Sequence, residues 1–184
     1  MNIDAPVRHL GEIDVSAMRD AVLALGQEAW ASQPHRQETY EVHQQTQSLV
    51  LVFTDGTGWP DIEVTKESGW PWLAEPAVPL MHGIIEGHYP KGGAIIRAMA
   101  AKLAAGGRIS THRDGHPSFH CSHRIHVPLT TNPRVRFMID GRPYRLEVGQ
   151  AYEINNQLAH SVMNKGPEDR ITFIFDYLPP DAKA

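Results

Sequence analysis

The chain has 184 residues, 41% apolar and 21% charged, with a formal net charge of −4 and a single cysteine, Cys121. This is the composition of a globular chain of one domain's length; it excludes an internal disulfide framework and a cysteine-rich zinc site. There is no apolar run of about 18 residues and no basic run, so neither a membrane span nor a nucleic-acid partner is expected. The N-terminal MNIDAPVRHLGEID has charges and a proline where a signal peptide needs an apolar run, and a cytoplasmic location is the expectation.

In chain order, DVSAMRDAVLALGQEAW reads as a helix. Met18, Val22, Leu25 and Ala29 recur at three- and four-residue steps, and Asp14 or Ser16 can cap its start. Ser48–Thr54 is short, apolar and β-branched, hence a strand; TDGTGWPDIE is a loop. A second helix is expected over Leu80–His88, after the proline-rich WPWLAEPAVP.

From Ala94 the texture changes to short segments separated by turn signals. Strands are expected at Ala94–Leu103, Arg108–His112, His123–Thr130, Arg134–Ile139, Arg142–Glu147, Ala151–Ile154, His160–Met163 and Arg170–Leu178. IDGRPY is a hairpin signal, because Asp-Gly accepts the positive φ of a tight turn. Eight such strands predict a mainly β sandwich or barrel with helices packed outside. The expected organisation is one domain over residues 1–184, with an α/β part to residue 93 supporting a β core over 94–180.

Five of the eleven histidines fall between Ser110 and His126. His112 and Asp114 form an H-x-D step, and residues i and i+2 of a strand share a face. His160, with apolar neighbours, is the best third ligand. Two histidines and one carboxylate are the facial set of mononuclear non-haem iron(II), which leaves positions open for a cosubstrate and oxygen; zinc favours a tetrahedral site with one open position. Arg170, ten residues after His160, opens the strand RITFIFDYL, in which Arg170, Thr172, Ile174 and Asp176 share one face. A buried arginine there needs an anion, and a dicarboxylate satisfies it. In RIHVPL, Arg124, His126 and Pro128 share a face, so Arg124 and His126 can bind an acidic group near the metal. Arg97 faces either the cavity or solvent. His116, His120 and His123 read as solvated loop residues, and Trp59, Trp70 and Trp72 as packing or a lid.

Taken in order, HRD, HRIHVPL and FMIDGRPYRLEVGQAYEINNQLAHSVMNKGPEDRITFIFDY resemble the aspartyl/asparaginyl β-hydroxylase family of 2-oxoglutarate-dependent iron dioxygenases. The shared elements are H-x-D/G, R-x-H-x-P-L, G-x-x-x-x-x-N, H-x-x-x-N and the arginine ten residues beyond the distal histidine, spanning about Leu103 to Tyr177. The resemblance implies a double-stranded β-helix, a jelly-roll of the cupin type, with the N-terminal helices outside it. It implies Fe(II) on His112, Asp114 and His160, 2-oxoglutarate on Arg170 with Arg124 and His126 as cosubstrate or substrate contacts, and O2 as the oxidant. The animal peptidyl-aspartyl enzymes carry glycine in place of Asp114; the full triad here is similar to that of bacterial free-proline hydroxylases. The expected activity is hydroxylation of an aliphatic carbon of an amino acid, free, peptidyl or carrier-bound. The expected partner is a small molecule or short peptide, and a homodimer is compatible with the sequence. The alternatives are a non-oxidative cupin-like isomerase or small-acid sensor, and a zinc hydrolase, against which the absence of a general-base glutamate beside the histidines counts.

Overall fold

The structure, a computed structural model, describes residues 1–31, 45–54 and 60–182. Among these the chain runs β1 (Val7–Glu12), α1 (Ser16–Ala24), α2 (Gln27–Ala31), β2 (Thr46–Phe53), β3 (Thr65–Lys66), α3 (Trp70–His88), β4 (Ala94–Leu103), β5 (Arg108–His112), α4 (Ser118–Cys121), β6 (His123–Thr130), β7 (Val135–Ile139), β8 (Arg142–Tyr144), β9 (Gln150–Ile154), β10 (His160–Asn164) and β11 (Arg170–Leu178).

The strands form a seven-stranded sheet, β1-β9-β6-β11-β4-β2-β3, and a four-stranded sheet, β5-β10-β7-β8. Every pairing is antiparallel. The fold is the mainly β jelly-roll, a double-stranded β-helix, with α1, α2 and α3 on the outer face of the large sheet. Period-two alternation builds both layers. On β11, Ile171, Phe173, Phe175 and Tyr177 pack with Met18, Val22, Leu73, Ala77 and Ile84 of α1 and α3. Its other face, with Arg170 and Ile174, lines the space between the sheets. A second apolar cluster, including Leu103, Phe137, Ile139, Tyr152, Ile154 and Val162, joins the sheets.

Several elements differ from expectation. The first helix is two, broken where Leu25 takes an extended conformation (φ −75°, ψ 130°). Asp14 Oδ1 accepts the Ser16 N–H at 2.9 Å, but the N-cap position is Val15, which has no side-chain cap. The second helix begins at Trp70, ten residues before Leu80. Pro71 sits in its first turn, where no N–H is needed, and Pro76 and Pro79 lie inside it. Each internal proline removes a hydrogen bond, but burial of Leu73, Ala77, Leu80, Met81 and Ile84 along one face overrides that propensity. Three strands of the large sheet, β1, β2 and β3, precede residue 94, so the part to residue 93 contributes strands to the same sheet. β8 stops at Tyr144, short of Glu147. Residues 55–59 of the expected loop, with Trp59, lie outside the described residues.

The Asp140-Gly141 turn is as the sequence predicts. Both residues have positive φ (49° and 73°), and Ile139 pairs with Arg142 across the hairpin. Among the described residues, no helix is long and apolar enough to cross a membrane.

Candidate metal centre and the cavity behind it

β5 ends and β10 begins at the cross-strand pair His112–His160, which sets the two imidazoles side by side with ring centroids 4.4 Å apart. Asp114 lies two residues beyond the end of β5, so the chain's turn, not the strand pleat, aims it at the histidines. Its N–H donates to the Asn156 carbonyl at 3.3 Å, tying it to the segment that leads into β10. One ligand atom from each of His112, Asp114 and His160 lies within 4.8 Å of the others. Asp114 Oδ1 is 3.8 Å from His112 Nε2 and 4.0 Å from His160 Nε2. These three side chains would hold a metal ion between them.

The imidazoles are oriented for this. His112 Nδ1 is 2.8 Å from the Ser110 carbonyl and His160 Nδ1 is 2.9 Å from the Leu158 carbonyl. Each Nδ1–H donates to a carbonyl and leaves Nε2 with a lone pair toward the common centre. Burial also lowers the His160 pKa, and Asp114 offsets this only in part, which favours the neutral ligating form.

Arg124 supports the third ligand. Its Nε and Nη2 hold Asp176 at 2.8 and 2.9 Å, a bidentate pair, while Nη1 lies 3.0 Å from Asp114 Oδ2. Burial opposes the Arg124 charge, but Asp114 and Asp176 more than offset it and raise its pKa. The sequence expectation gave Arg124 a cosubstrate or substrate contact; it lines the cavity behind the centre, and all three of its nitrogens lie against internal carboxylates. Arg97 joins the same network. It donates to Ser118 Oγ at 2.8 Å and to the Thr54 carbonyl at 3.4 Å, and stands 3.6 Å from Asp176 Oδ2. The Phe119 ring centroid is 4.5 Å from both guanidinium carbons, a double cation–π contact. Arg97 therefore has an internal role. Asp176, on the strand face that carries Arg170, pairs with these two arginines.

Behind the metal centre a cavity is lined by His112, Arg124, His126, Phe137, His160, Arg170 and Ile174, among others. His126 is 5% exposed, and neither of its ring nitrogens has a hydrogen-bond partner among the described residues. Burial first, then Arg124, Arg170 and His160, hold its pKa well below the usual imidazole range. It is neutral, with one donor and one acceptor to offer a ligand. Arg170 is 4% exposed, and no carboxylate among the described residues lies within ion-pair distance of it. Burial alone pushes its pKa down to about 10, so it stays charged at neutral pH. On the same strand face, Thr172 Oγ1 is buried and unpartnered.

The other histidines of the 116–123 stretch are not at the centre. His116 is held by Ser118 Oγ at 2.7 Å and His120 is exposed. His123 is not a solvated loop residue: it opens β6 and binds the buried Glu153 at 2.6 Å, beside Tyr89. Glu153 also takes Arg8 at 3.0 Å and the Tyr89 hydroxyl at 3.2 Å. The alternation of β9 could have flagged Glu153, since it places the acid on the helix side with Ala151.

No curated protein matches this sequence. Among solved structures, a 2OG-Fe(II) oxygenase family oxidoreductase from Burkholderia pseudomallei superposes with a TM-score of 0.55 at 10% identity, over 76% of this chain and 71% of that one. The non-haem monooxygenase ThoJ superposes with a TM-score of 0.55 at 14% identity as its nickel complex, and 0.56 at 13% without metal; each covers 97% of this chain and 75% of the other. At these identities the likeness speaks for the fold. The sequence model of the aspartyl/asparaginyl β-hydroxylase family matches residues 12–180, nearly the whole chain and all the residues of the centre described above. The chain thus belongs to the aspartyl/asparaginyl β-hydroxylase family and is a hydroxylase.

Proposed function

We propose that this hydroxylase depends on Fe(II) and 2-oxoglutarate, uses O2, and oxidises an aliphatic carbon of an amino acid that is free, peptidyl or carrier-bound. The observation that carries the proposal is the company Arg170 keeps. A charged, buried guanidinium with no carboxylate partner among the described residues lines the same cavity as His112 and His160, the two histidines of a two-histidine, one-carboxylate set. An unpaired buried cation is costly, and a bound dicarboxylate relieves the cost.

The donor set fits iron. Two imidazole nitrogens and one carboxylate oxygen on one side of a centre suit Fe(II), with open positions for the keto acid and for oxygen. His112, Asp114 and His160 would hold the ion, which supplies the oxidising chemistry. The chain's own residues bind and orient. Arg170 fixes the distal carboxylate and so sets the reach of the cosubstrate toward the centre. Neutral His126 hydrogen-bonds an oxygen in the cavity without adding a charge. Arg124 keeps Asp114 ionised and turned. Phe137 and Ile174 wall the cavity and exclude water.

Anaerobic addition of Fe(II) and 2-oxoglutarate should give a weak visible charge-transfer band. In air, a panel of free amino acids and short peptides should include one that stimulates succinate release. Tight zinc binding with no dependence on 2-oxoglutarate would return the chain to the hydrolase reading. Metal binding with no succinate from any panel member would favour the isomerase or sensor.

A further inference from the structure

Arg170 borders two cavities. The one it shares with the metal centre has a volume of about 50 Å³, room for roughly one or two waters at about 30 Å³ each. On its other side lies a cleft of about 280 Å³, formed with Arg136, Tyr144, Arg145 and Leu146 and containing none of the three metal-centre ligands. The strand registers place this cleft away from that centre. On β10, His160 pairs with Ile139 of β7, whereas Asn164, at the other end, pairs with Val135 beside the cleft.

Arg136 also lines an open groove of about 900 Å³ over the outer face of the small sheet, with Arg108, Arg134 and Lys165. No carboxylate is among the residues lining either space. The local partners are modest. Arg136 gives Nη1 to the Pro133 and Val135 carbonyls, at 2.8 and 3.1 Å, and Arg145 Nε is 3.2 Å from the exposed Glu147. A chain of net charge −4 has therefore gathered five cations from four separate segments around the outer approach to its buried arginine. Cations of one sign lining a concave path raise the local concentration of anions and their rate of arrival.

We propose that this cleft is a rear port and holding site for small carboxylate dianions, which reach Arg170 from the side away from the metal centre. The proposal rests on the cosubstrate reading of Arg170 and adds the route and the residues that supply it. Arg136 and Arg145 collect the dianion, and Arg170 receives one carboxylate while the other end passes inward beside Phe137.

The test is stopped-flow absorbance on anaerobic mixing of the Fe(II) protein with 2-oxoglutarate, alongside calorimetric titration of the metal-free protein with succinate. In the Arg136→Glu/Arg145→Glu protein the association rate should fall at least tenfold, and succinate binding to the metal-free protein should be lost. In the unmodified protein the rate should fall steeply between low and high salt. Lys91→Glu, a distant exposed reversal, should leave the rate within twofold. Equal rates in the double variant and the unmodified protein, or equal slowing in Lys91→Glu, overturn the port. Arg170→Ala separates the two levels. If it weakens 2-oxoglutarate binding while the double variant associates normally, the port alone is wrong. If it binds 2-oxoglutarate normally, the cosubstrate reading falls and the port with it.

Discussion

Nη1 of Arg124 stands 3.0 Å from Oδ2 of Asp114, while the other two nitrogens of the same guanidinium grip Asp176. The arginine is thus fixed at one end by a buried acid and turns Asp114 with the other, leaving Oδ1 toward His112 and His160. Groups behind a metal ligand commonly account for about a 10–100-fold change in affinity. Arg124→Lys, which cannot reproduce the fork, should weaken Co(II) binding by that factor with all three ligands present. Asp176→Asn removes the charged partner of a buried arginine and should lower unfolding free energy by about 3–5 kcal/mol in urea titrations. An Arg124→Lys protein that binds Co(II) as tightly as the parent would remove the positioning role.

Arg170 makes a different prediction because its partner is absent from the chain itself. Arg170→Ala should leave Co(II) affinity unchanged and weaken 2-oxoglutarate binding by about 2–5 kcal/mol, the cost of leaving a desolvated carboxylate unpaired. Arg170→Lys should fall between, since an ammonium keeps the charge and loses the bidentate geometry. Anaerobic titration of the visible band measures both. Equal loss of metal and of 2-oxoglutarate affinity in Arg170→Ala would mean that the cavity had collapsed, and the assignment would fail.

These two arginines mark what was legible in the sequence. The strands around the centre were, because alternation and turn residues there are local signals: β11 reads directly as one apolar and one polar face. The spacing of His112, Asp114, His160 and Arg170 was legible too: the first three come within 4.8 Å of one another, and Arg170 lines a cavity with His112 and His160. The partner of Arg124 was not. Asp176 lies 52 residues away, joined only by the register of β6 and β11, in which Arg124 faces Asp176. The α3 start was missed because its prolines argue against a helix, and only packing against the large sheet reverses that. β1, a short edge strand with Arg8, His9 and Gly11, has almost no pattern of its own and takes its form from β9.

His126 should make stability depend on pH. Its pKa is held below the unfolded value because burial, Arg124, Arg170 and His160 all disfavour its charged form. The folded state therefore binds fewer protons than the unfolded chain as pH falls below about 6.5. The contribution is fully present above that value and is lost toward the lower folded pKa, by about 1.4 kcal/mol one unit down. Urea unfolding of the metal-free protein from pH 7.5 to 5.5 should show this loss, and His126→Gln should recover most of it relative to its own value at pH 7.5. A variant with the parent's pH slope would place the titrating group elsewhere.

Asn164 gives the last prediction and a physical reason for the H-x-x-x-N spacing. It is wholly buried, four residues after His160 and six before Arg170. Its amide nitrogen points among the carbonyls of Leu103, Ala104 and Glu168 at 3.4, 3.1 and 2.8 Å. Its oxygen accepts from Asn132 Nδ2 and the Gly166 N–H, both at 3.1 Å. One side chain thus joins the end of β4, the turn before β7 and the turn into β11, where Arg170 pairs with Leu103. Asn164→Leu keeps the volume and orphans these groups, each at about 1–3 kcal/mol where water cannot reach. Unfolding free energy should fall by at least about 2 kcal/mol. The functional loss should be uneven. His160 is held by its pairing with β5 and β7, so Co(II) affinity should stay within a few-fold, whereas the turn that sets Arg170 loosens and 2-oxoglutarate affinity should fall at least tenfold. Paired Co(II) and 2-oxoglutarate titrations decide it: a larger loss for the metal than for the diacid would show that Asn164 supports the histidine end of β10 rather than the arginine beyond it.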